Sequence, residues 1–179
     1  MRKMTVLDRI LLLVTGLLAA YQIVFGMDGL HSLAMISYTL GFGVLLIAGL
    51  LLIILGFEIL DSPWVVITAT LIPLSLSLGL VWQYLPDWRT LYLVFAVLGF
   101  VAVTYTRLAM GGKLATMVLA IVHGIAGMVI FLLPIFASLS GWAGKGFLLV
   151  GVGGALIGVG GLLLSFLKAG KPILSRATI

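Results

Sequence analysis

The segment LATMVLAIVHGIAGMVIFLLPIF, which runs from Leu114 to Phe136, decides the fold class of this chain. It contains no Asp, Glu, Lys or Arg. A helix needs about 20 predominantly apolar residues to cross the hydrocarbon core of a bilayer. The segment meets that requirement, and it therefore predicts a transmembrane helix.

Apolar runs of similar length lie on both sides of this segment, separated by short polar connections. Turn signals such as Ser62-Pro63 and Gly111-Gly112 mark two of these connections. Connections this short join neighbouring helices as antiparallel hairpins. We therefore expect an all-α polytopic membrane protein, a single helical-bundle domain over residues 1–179, with six transmembrane helices packed as three antiparallel hairpins. The predicted spans are residues 10–26, 33–57, 63–85, 90–107, 114–136 and 147–167.

The composition agrees with a protein whose surroundings are lipid. Hydrophobic residues make up 63% of the chain and charged residues 8%, whereas roughly a quarter of the residues in a soluble domain are charged. The chain has no Cys, which excludes disulfides and thiolate metal sites. Its predicted spans contain no Lys and no recognisable catalytic motif, so we expect no enzyme activity, no cofactor and no metal site.

The basic residues predict the orientation of the chain. Cytoplasmic loops of membrane proteins carry an excess of Lys and Arg. If the N-terminus is cytoplasmic, Arg89 and Lys145 are the two basic residues left outside, out of 10. We therefore expect a protein of the cell (plasma) membrane with both termini cytoplasmic, and no nucleic-acid partner. The basic residues expected inside are Arg2, Lys3, Arg9, Arg107, Lys113, Lys168, Lys171 and Arg176.

Aromatic residues cluster at the predicted outer ends of the spans. Amphipathic rings are enriched at the interface between membrane and water. We interpret the cluster as an aromatic belt. Its members are Trp82, Tyr84, Trp88, Tyr92 and Trp142.

Rows of glycine run along the last predicted span, with a spacing of seven residues within each row. Glycine rows allow helix backbones to approach closely, and helix association in lipid depends on such contact. One row is sufficient to seat this helix in its own bundle, and another can meet a second subunit, a second copy of the chain or a lipid. The predicted helix-packing glycines are Gly151, Gly153, Gly154, Gly158, Gly160 and Gly161.

His123 is the first candidate for binding a ligand, because it is the one ionisable side chain well inside a predicted span. It either contacts a ligand or donates a hydrogen bond to another helix. Pro73 is expected to kink the third span, where nearby hydroxyls either line a polar path or bond to the backbone that the proline frees. The other predicted ligand-binding residues are Gln22, Thr68, Ser75 and Gln83.

Arg107 lies at the cytoplasmic end of the fourth span, next to Tyr105 and Thr106. Long basic side chains near the end of a span extend towards the membrane surface, where their charge stays in water. Arg107 is expected either to do this or to bind a lipid phosphate.

Three functions agree with these features. The first is a non-catalytic helical subunit or scaffold of a larger membrane complex, associating through glycine-rich faces with other transmembrane subunits or as a homo-oligomer, with membrane lipids as further partners. The alternative is a small transporter or substrate-binding component for a mostly apolar solute. The third is a redox-chain subunit with a quinone or haem near His123.

The six-span layout with a cytoplasmic N-terminus resembles, in topology, the substrate-binding components of energy-coupling-factor vitamin transporters. It also resembles other small six-span bacterial membrane proteins, including those linked to acid resistance. The first span carries Gly16 and Ala20 as a pair of small residues, in place of the alanine pair typical of those transporter components. The resemblance therefore assigns neither binding residues nor a family.

Overall fold

The computed structural model describes residues 4–26 and 29–168. Every regular element in these two ranges is a helix, and they contain no strand. Five helices are long and apolar enough to cross a membrane. The protein is therefore all-helical, as predicted, and has the helices of a membrane protein.

The long helices overlap the predicted spans. A sixth apolar helix covers Lys145–Gly161, which includes a short 3-10 turn and the first part of α6. It is shorter than the other five. Short 3-10 turns lie between some of the long helices, at Phe57–Asp61, Pro86–Trp88 and Lys145–Phe147, and a π-helical turn at Thr106–Met110 continues α4. The long helices are α1 Val6–Phe25, α2 Ser32–Leu55, α3 Pro63–Tyr84, α4 Arg89–Tyr105, α5 Gly112–Leu139 and α6 Leu148–Lys168.

Capping residues and glycines determine where these helices begin and end more closely than the limits of the apolar runs do. Helix α1 begins at Val6, before the predicted start, because Thr5 and Asp8 form a capping box. The Asp8 N–H donates to Thr5 Oγ1 (3.2 Å) and the Thr5 N–H donates to Asp8 Oδ2 (2.7 Å). The turn between α4 and α5 is made by Gly111 and Gly112, whose φ angles of 65° and 62° favour glycine.

Contacts divide the chain into a unit of residues 1–126 and a unit of residues 127–179, and α5 contributes residues to both. The single domain expected over the whole chain stays a prediction.

Consecutive helices of the first unit pack antiparallel. A Cβ at Gly16 would lie 3.3 Å from Leu46, and a Cβ at Gly49 would lie 3.7 Å from Leu12 O. Residues further along α1 thus face residues earlier in α2. Small residues at these positions bring the two backbones close, which favours association in lipid.

Helices α2 and α3 also approach each other at glycines. A Cβ at Gly41 would lie 2.7 Å from Leu76 and 2.9 Å from Ser75 Oγ. A Cβ at Gly79 would lie 2.6 Å from the ring of Tyr38. Neither position has room for a larger side chain, so these two contacts set the distance between the helices.

A core cluster joins α3, α4 and the first part of α5. Its buried members are surrounded by partly buried Phe95, Phe100, Val118 and Leu119. Gly99 of α4 packs against Val122 of α5, where a Cβ would lie 3.2 Å from Val122 Cγ1. The cluster therefore includes the contact between α4 and α5, next in sequence to His123. Its buried members are Leu74, Ala96, Val103, Val122 and Ala126.

Large apolar side chains are exposed along the long helices of the structure. Examples are Val6 and Leu139 at 75% exposure and Ile54 at 74%. Soluble monomers rarely expose contiguous apolar patches of more than a few hundred Å². The distribution agrees with helices surrounded by lipid.

The second unit contains a helical hairpin made of the second half of α5 and α6. A Cβ at Gly151 would lie 2.6 Å from Phe131 O, and a Cβ at Gly154 would lie 3.0 Å from Ile130. The Ser138 hydroxyl donates to Gly144 O across the connecting turn, at 3.2 Å. Glycines therefore bring α6 against α5 in this hairpin.

The α2–α3 contact predicts different effects for two neighbouring glycines. Gly41→Ala is expected to lower the free energy of unfolding by about 1–3 kcal/mol relative to Gly43→Ala, because the new methyl group overlaps Leu76 and Ser75. Gly43 is the matched control, since a Cβ there meets nothing within 4 Å. Both changes alter helix propensity equally. The measurement is unfolding in detergent followed by circular dichroism, and equal stability of the two variants would contradict the contact.

Candidate functional site

The predicted ligand-binding residues do not meet at one site. Gln22 donates from Nε2 to Gly26 O, at 3.0 Å, so its side chain caps the end of its own helix. Thr68 is exposed, whereas Ser75 is buried at the contact with α2. Gln83 is exposed and belongs to a hydrogen-bond network at the end of α3.

The hydroxyls around Pro73 bond to the backbone of their own helix. Ser77 Oγ donates to Pro73 O at 2.5 Å, Thr70 Oγ1 donates to Val66 O at 2.8 Å, and Ser75 Oγ donates to Leu71 O. Such local bonds are the usual solution for Ser and Thr within a helix. Of the two interpretations of these hydroxyls, the geometry favours local backbone bonding over a polar path.

A network of polar and aromatic side chains, here called the Trp82 network, joins the start of α2 to the end of α3 and the start of α4. Tyr38 donates its hydroxyl to Gln83 Oε1 at 3.1 Å, and Trp82 Nε1 donates to His31 Nδ1 at 3.2 Å. The Trp82 network consists of His31, Tyr38, Trp82, Gln83, Tyr84 and Arg89.

His31 and Arg89 both contact Trp82. His31 Nδ1 also accepts the Leu33 N–H, at 3.3 Å, and so caps α2. Arg89 Nε donates to Trp82 O at 2.7 Å, and its guanidinium lies 5.5 Å from the centre of the Trp82 ring. The network thus ties three helices together at this level.

The residues of the predicted aromatic belt differ in their exposure. Trp88 and Trp142 are exposed, as side chains of an interface should be. Tyr92, in contrast, is buried in α4, with its ring 5.3 Å from that of Phe95. Tyr92 therefore packs inside the first unit.

The second polar feature of the first unit consists of Arg107, in the π turn, and His123, in α5, here called the Arg107–His123 pair. Among the described residues, neither Arg107 Nε nor His123 Nδ1 has a hydrogen-bond partner, although both atoms are buried. Buried polar groups are normally paired, so these two nitrogen atoms stand out, as does the Tyr92 hydroxyl oxygen, which also has no partner among the described residues.

The π-helical turn explains the direction of Arg107. The Gly111 N–H donates to Thr106 O at 2.8 Å, which closes the wide turn. A π turn rotates each residue by less than an α turn does, because it holds more residues per turn. Arg107 is thereby brought back towards the side of α4 that buries Val103. Of the two predicted roles of Arg107, this placement argues against simple extension to the surface.

The glycines of α6 differ in their surroundings. Gly151 and Gly154 contact α5, whereas a Cβ at Gly153, Gly158 or Gly160 would meet nothing within 4 Å. Gly161 is exposed. Two of the six predicted helix-packing positions are therefore used within the described hairpin.

Comparison of the chain with protein-family models, curated proteins and solved structures gives no match in any of the three. In the described part of the chain, no group of three His, Asp or Glu side chains is placed to hold a metal ion. The geometry of the two sites and of α6 is therefore the basis for any functional conclusion.

The sequence analysis did not predict the Trp82 network or the burial of the Arg107 Nε atom. The signal for the network was present in the sequence, because His31 precedes a helix and Trp82 and Arg89 flank the same turn. No comparable signal exists for Arg107, since its direction depends on the π turn.

The Trp82 network predicts graded effects of substitutions at His31. His31→Ala removes the cap of α2 and the acceptor for Trp82, so the free energy of unfolding is expected to fall by about 1–2 kcal/mol. His31→Asn is expected to lose less, because Asn is itself a favourable N-cap. The measurement is unfolding in detergent monitored by tryptophan fluorescence. A His31→Ala variant as stable as the unmodified protein would refute the structural role.

Proposed function

We propose that this chain is a non-catalytic membrane protein that acts as a helical subunit or scaffold and associates through a glycine-rich face of α6. The observation that supports this function is a face of α6, here called the open face, made by Gly153 and Gly160 with Leu149, Leu156 and Ile157. The three large side chains are 73%, 69% and 79% exposed. A Cβ added at either of the two glycines would meet no atom within 4 Å.

The spacing of these residues places them together. Positions seven apart in a helix differ by only about 20° in direction, so Gly153 and Gly160 lie on one side. Gly151, which packs against α5, points in nearly the opposite direction, about 200° away at 100° per residue. The open face is therefore separate from the face that packs in the hairpin.

The energetics favour a partner for the open face. A glycine within a helix costs about 1 kcal/mol relative to alanine. Gly151 and Gly154 offset this cost through contact with α5. Gly153 and Gly160 gain nothing comparable from the described residues. Contact with a helix of another subunit or of a second copy would supply close backbone packing, which drives association in lipid.

The proposal predicts that bulk on the open face disrupts assembly. Gly153→Leu and Gly160→Leu are each expected to shift the assembled form to the free chain, because a leucine keeps the partner backbone at a distance. The measurement is native mass spectrometry of protein gently extracted from its own membrane.

The matched control is Val159→Leu, which adds bulk at an exposed position of the same helix outside the open face. It is expected to leave the mass distribution unchanged. Assembly that survives both glycine substitutions, or that is lost equally in the control, would contradict the proposed function.

The same proposal includes a topology of six spans packed as hairpins in the plasma membrane, with both termini cytoplasmic. Five apolar helices and the further helix α6 support the number of spans. The distribution of Lys and Arg supports the orientation. Four of the basic residues that enter this argument, Arg2, Lys3, Lys171 and Arg176, lie outside the described residues.

The topology is tested by labelling, and the chain suits this because it has no Cys. Lys145→Cys is expected to react with a membrane-impermeant maleimide on intact cells. Lys113→Cys, which is also exposed, is expected to react only after permeabilisation. The reverse pattern would overturn the orientation, and labelling of both variants in intact cells would overturn the number of spans between them.

A further inference from the structure

Arg89, at the start of α4, is held in place by Trp82 near the end of α3. Its Nε donates to Trp82 O at 2.7 Å, and its guanidinium carbon lies 5.5 Å from the centre of the Trp82 ring. The negative face of an indole ring attracts a cation, and the hydrogen bond fixes the direction of the side chain. The guanidinium of Arg89 is therefore ordered before any ligand binds.

Trp82 is itself fixed from α2. Its Nε1 donates to His31 Nδ1 at 3.2 Å, and the centres of the two rings lie 6.1 Å apart. His31 caps α2, so the start of that helix sets the position of its ring. The three side chains, His31, Trp82 and Arg89, are here called the Arg89 site. Each one restricts the next, from α2 through α3 to α4.

Most of the hydrogen-bonding capacity of Arg89 is left over. A guanidinium carries five N–H donors, and within the described residues the side chain of Arg89 makes one hydrogen bond. The buried side-chain nitrogens that lack a partner do not include those of Arg89, so its two Nη atoms are accessible at the surface. Paired N–H groups of this kind suit the oxygens of a phosphate or a carboxylate.

The described carboxylates do not pair with Arg89. Asp87 is exposed and lies two residues earlier, without an ion pair to Arg89. Asp8 bonds to Thr5 in the first turn of α1, and Glu58 lies in the 3-10 turn before α3, at the opposite end of that helix. The oxyanion that suits the Nη atoms is therefore expected to come from a bound molecule.

The level of Arg89 in the membrane indicates which oxyanion this is. Helix α3, Pro63–Tyr84, has 22 residues and is about 33 Å long at 1.5 Å per residue. This length matches the hydrocarbon core of a bilayer, so residues beyond the end of α3 reach the headgroups. Arg89 follows that end, and Trp88 beside it is exposed, as rings at the interface between membrane and water are. The oxyanions present throughout this level are lipid phosphates.

We propose that Arg89 binds the phosphate of a membrane phospholipid through its two Nη atoms, with Trp82 as the residue that positions the guanidinium. Charge-assisted hydrogen bonds supply the affinity. Because Trp82 already restricts Arg89, binding loses less side-chain entropy than it would at a freely moving arginine. The Arg89 site shares no residue with the open face of α6, so either proposal can fail without the other.

The test is a lipid titration of the purified full-length protein in detergent, read by native mass spectrometry. Phosphatidylglycerol is expected to bind about tenfold more tightly than phosphatidylcholine, whose choline partly neutralises its own phosphate, and Arg89→Gln is expected to remove this preference. Lys113→Gln is the control, because it removes the same charge from an exposed side chain in the first turn of α5. The control is expected to change binding less than about threefold.

Arg89→Lys keeps the charge and provides a second test, in case Arg89→Gln does not fold. Lysine lacks the planar fork of arginine and is expected to lower the affinity for phosphatidylglycerol at least about threefold. Unchanged affinity would show that charge alone attracts the lipid, and it would overturn the site. The proposal is also overturned if the unmodified protein shows no preference, if Arg89→Gln retains the preference, or if Lys113→Gln loses it to the same degree.

Trp82→Leu tests the positioning role. It is expected to reduce the preference for phosphatidylglycerol over phosphatidylcholine about threefold, because loss of the ring frees the guanidinium, and to leave phosphatidylcholine binding unchanged. Trp64→Leu is the matched control, since Trp64 is exposed at the opposite end of α3. The control is expected to keep the preference of the unmodified protein. Equal preferences in the two variants would overturn the positioning role of Trp82.

Inorganic phosphate distinguishes a lipid from a free anion. Millimolar phosphate is expected to displace phosphatidylglycerol no more than ammonium chloride of the same ionic strength does, because the acyl chains add affinity that free phosphate lacks. If phosphate displaces the lipid more than chloride does from the unmodified protein, and not from Arg89→Gln, the site binds a free anion and the assignment to a lipid is wrong.

Discussion

The absence of water around the helices is the constraint on which the rest of this structure depends. In hydrocarbon, each polar group must find its partner inside the protein. The buried hydroxyls of Ser37, Thr70 and Ser77 do so locally, by donating to the carbonyl one turn earlier in the same helix. Their helix surfaces are thereby both small and effectively apolar, which permits the close approach of α2 and α3 at Gly41.

The same constraint separates the two polar sites. At the end of α3, Trp82 Nε1 and Arg89 Nε both donate to acceptors, and His31 Nδ1 also accepts the Leu33 N–H. This site mainly connects helices. Arg107 Nε and His123 Nδ1, in contrast, are buried without a hydrogen-bond partner among the described residues. The polar groups of the first unit are therefore satisfied at one of these features and not at the other.

The sequence allowed the all-helical class and the approximate spans to be predicted, because length and hydrophobicity belong to each segment alone. It did not allow the helix rotations to be predicted. Tyr92 was expected at the interface and is buried, and nothing in the spacing of the α6 glycines distinguished Gly151 from Gly153. Rotation depends on contacts between helices, and for Arg107 it depends also on the π turn. The predicted ligand-binding residues do not meet at one site, because the prediction could not take the helix rotations into account.

Because of the π turn at Thr106–Met110, the number of residues in this segment determines the direction of the side chains that follow it. A π turn amounts to one residue inserted into an α-helix. A related chain that lacked one residue between Tyr105 and Gly111 would continue α4 as a regular helix, and the side chains beyond the deletion would turn by about 100°. A basic residue retained at this position would then face different surroundings. In such a family, a gap of one residue would separate chains that direct this arginine inwards from chains that direct it to the lipid.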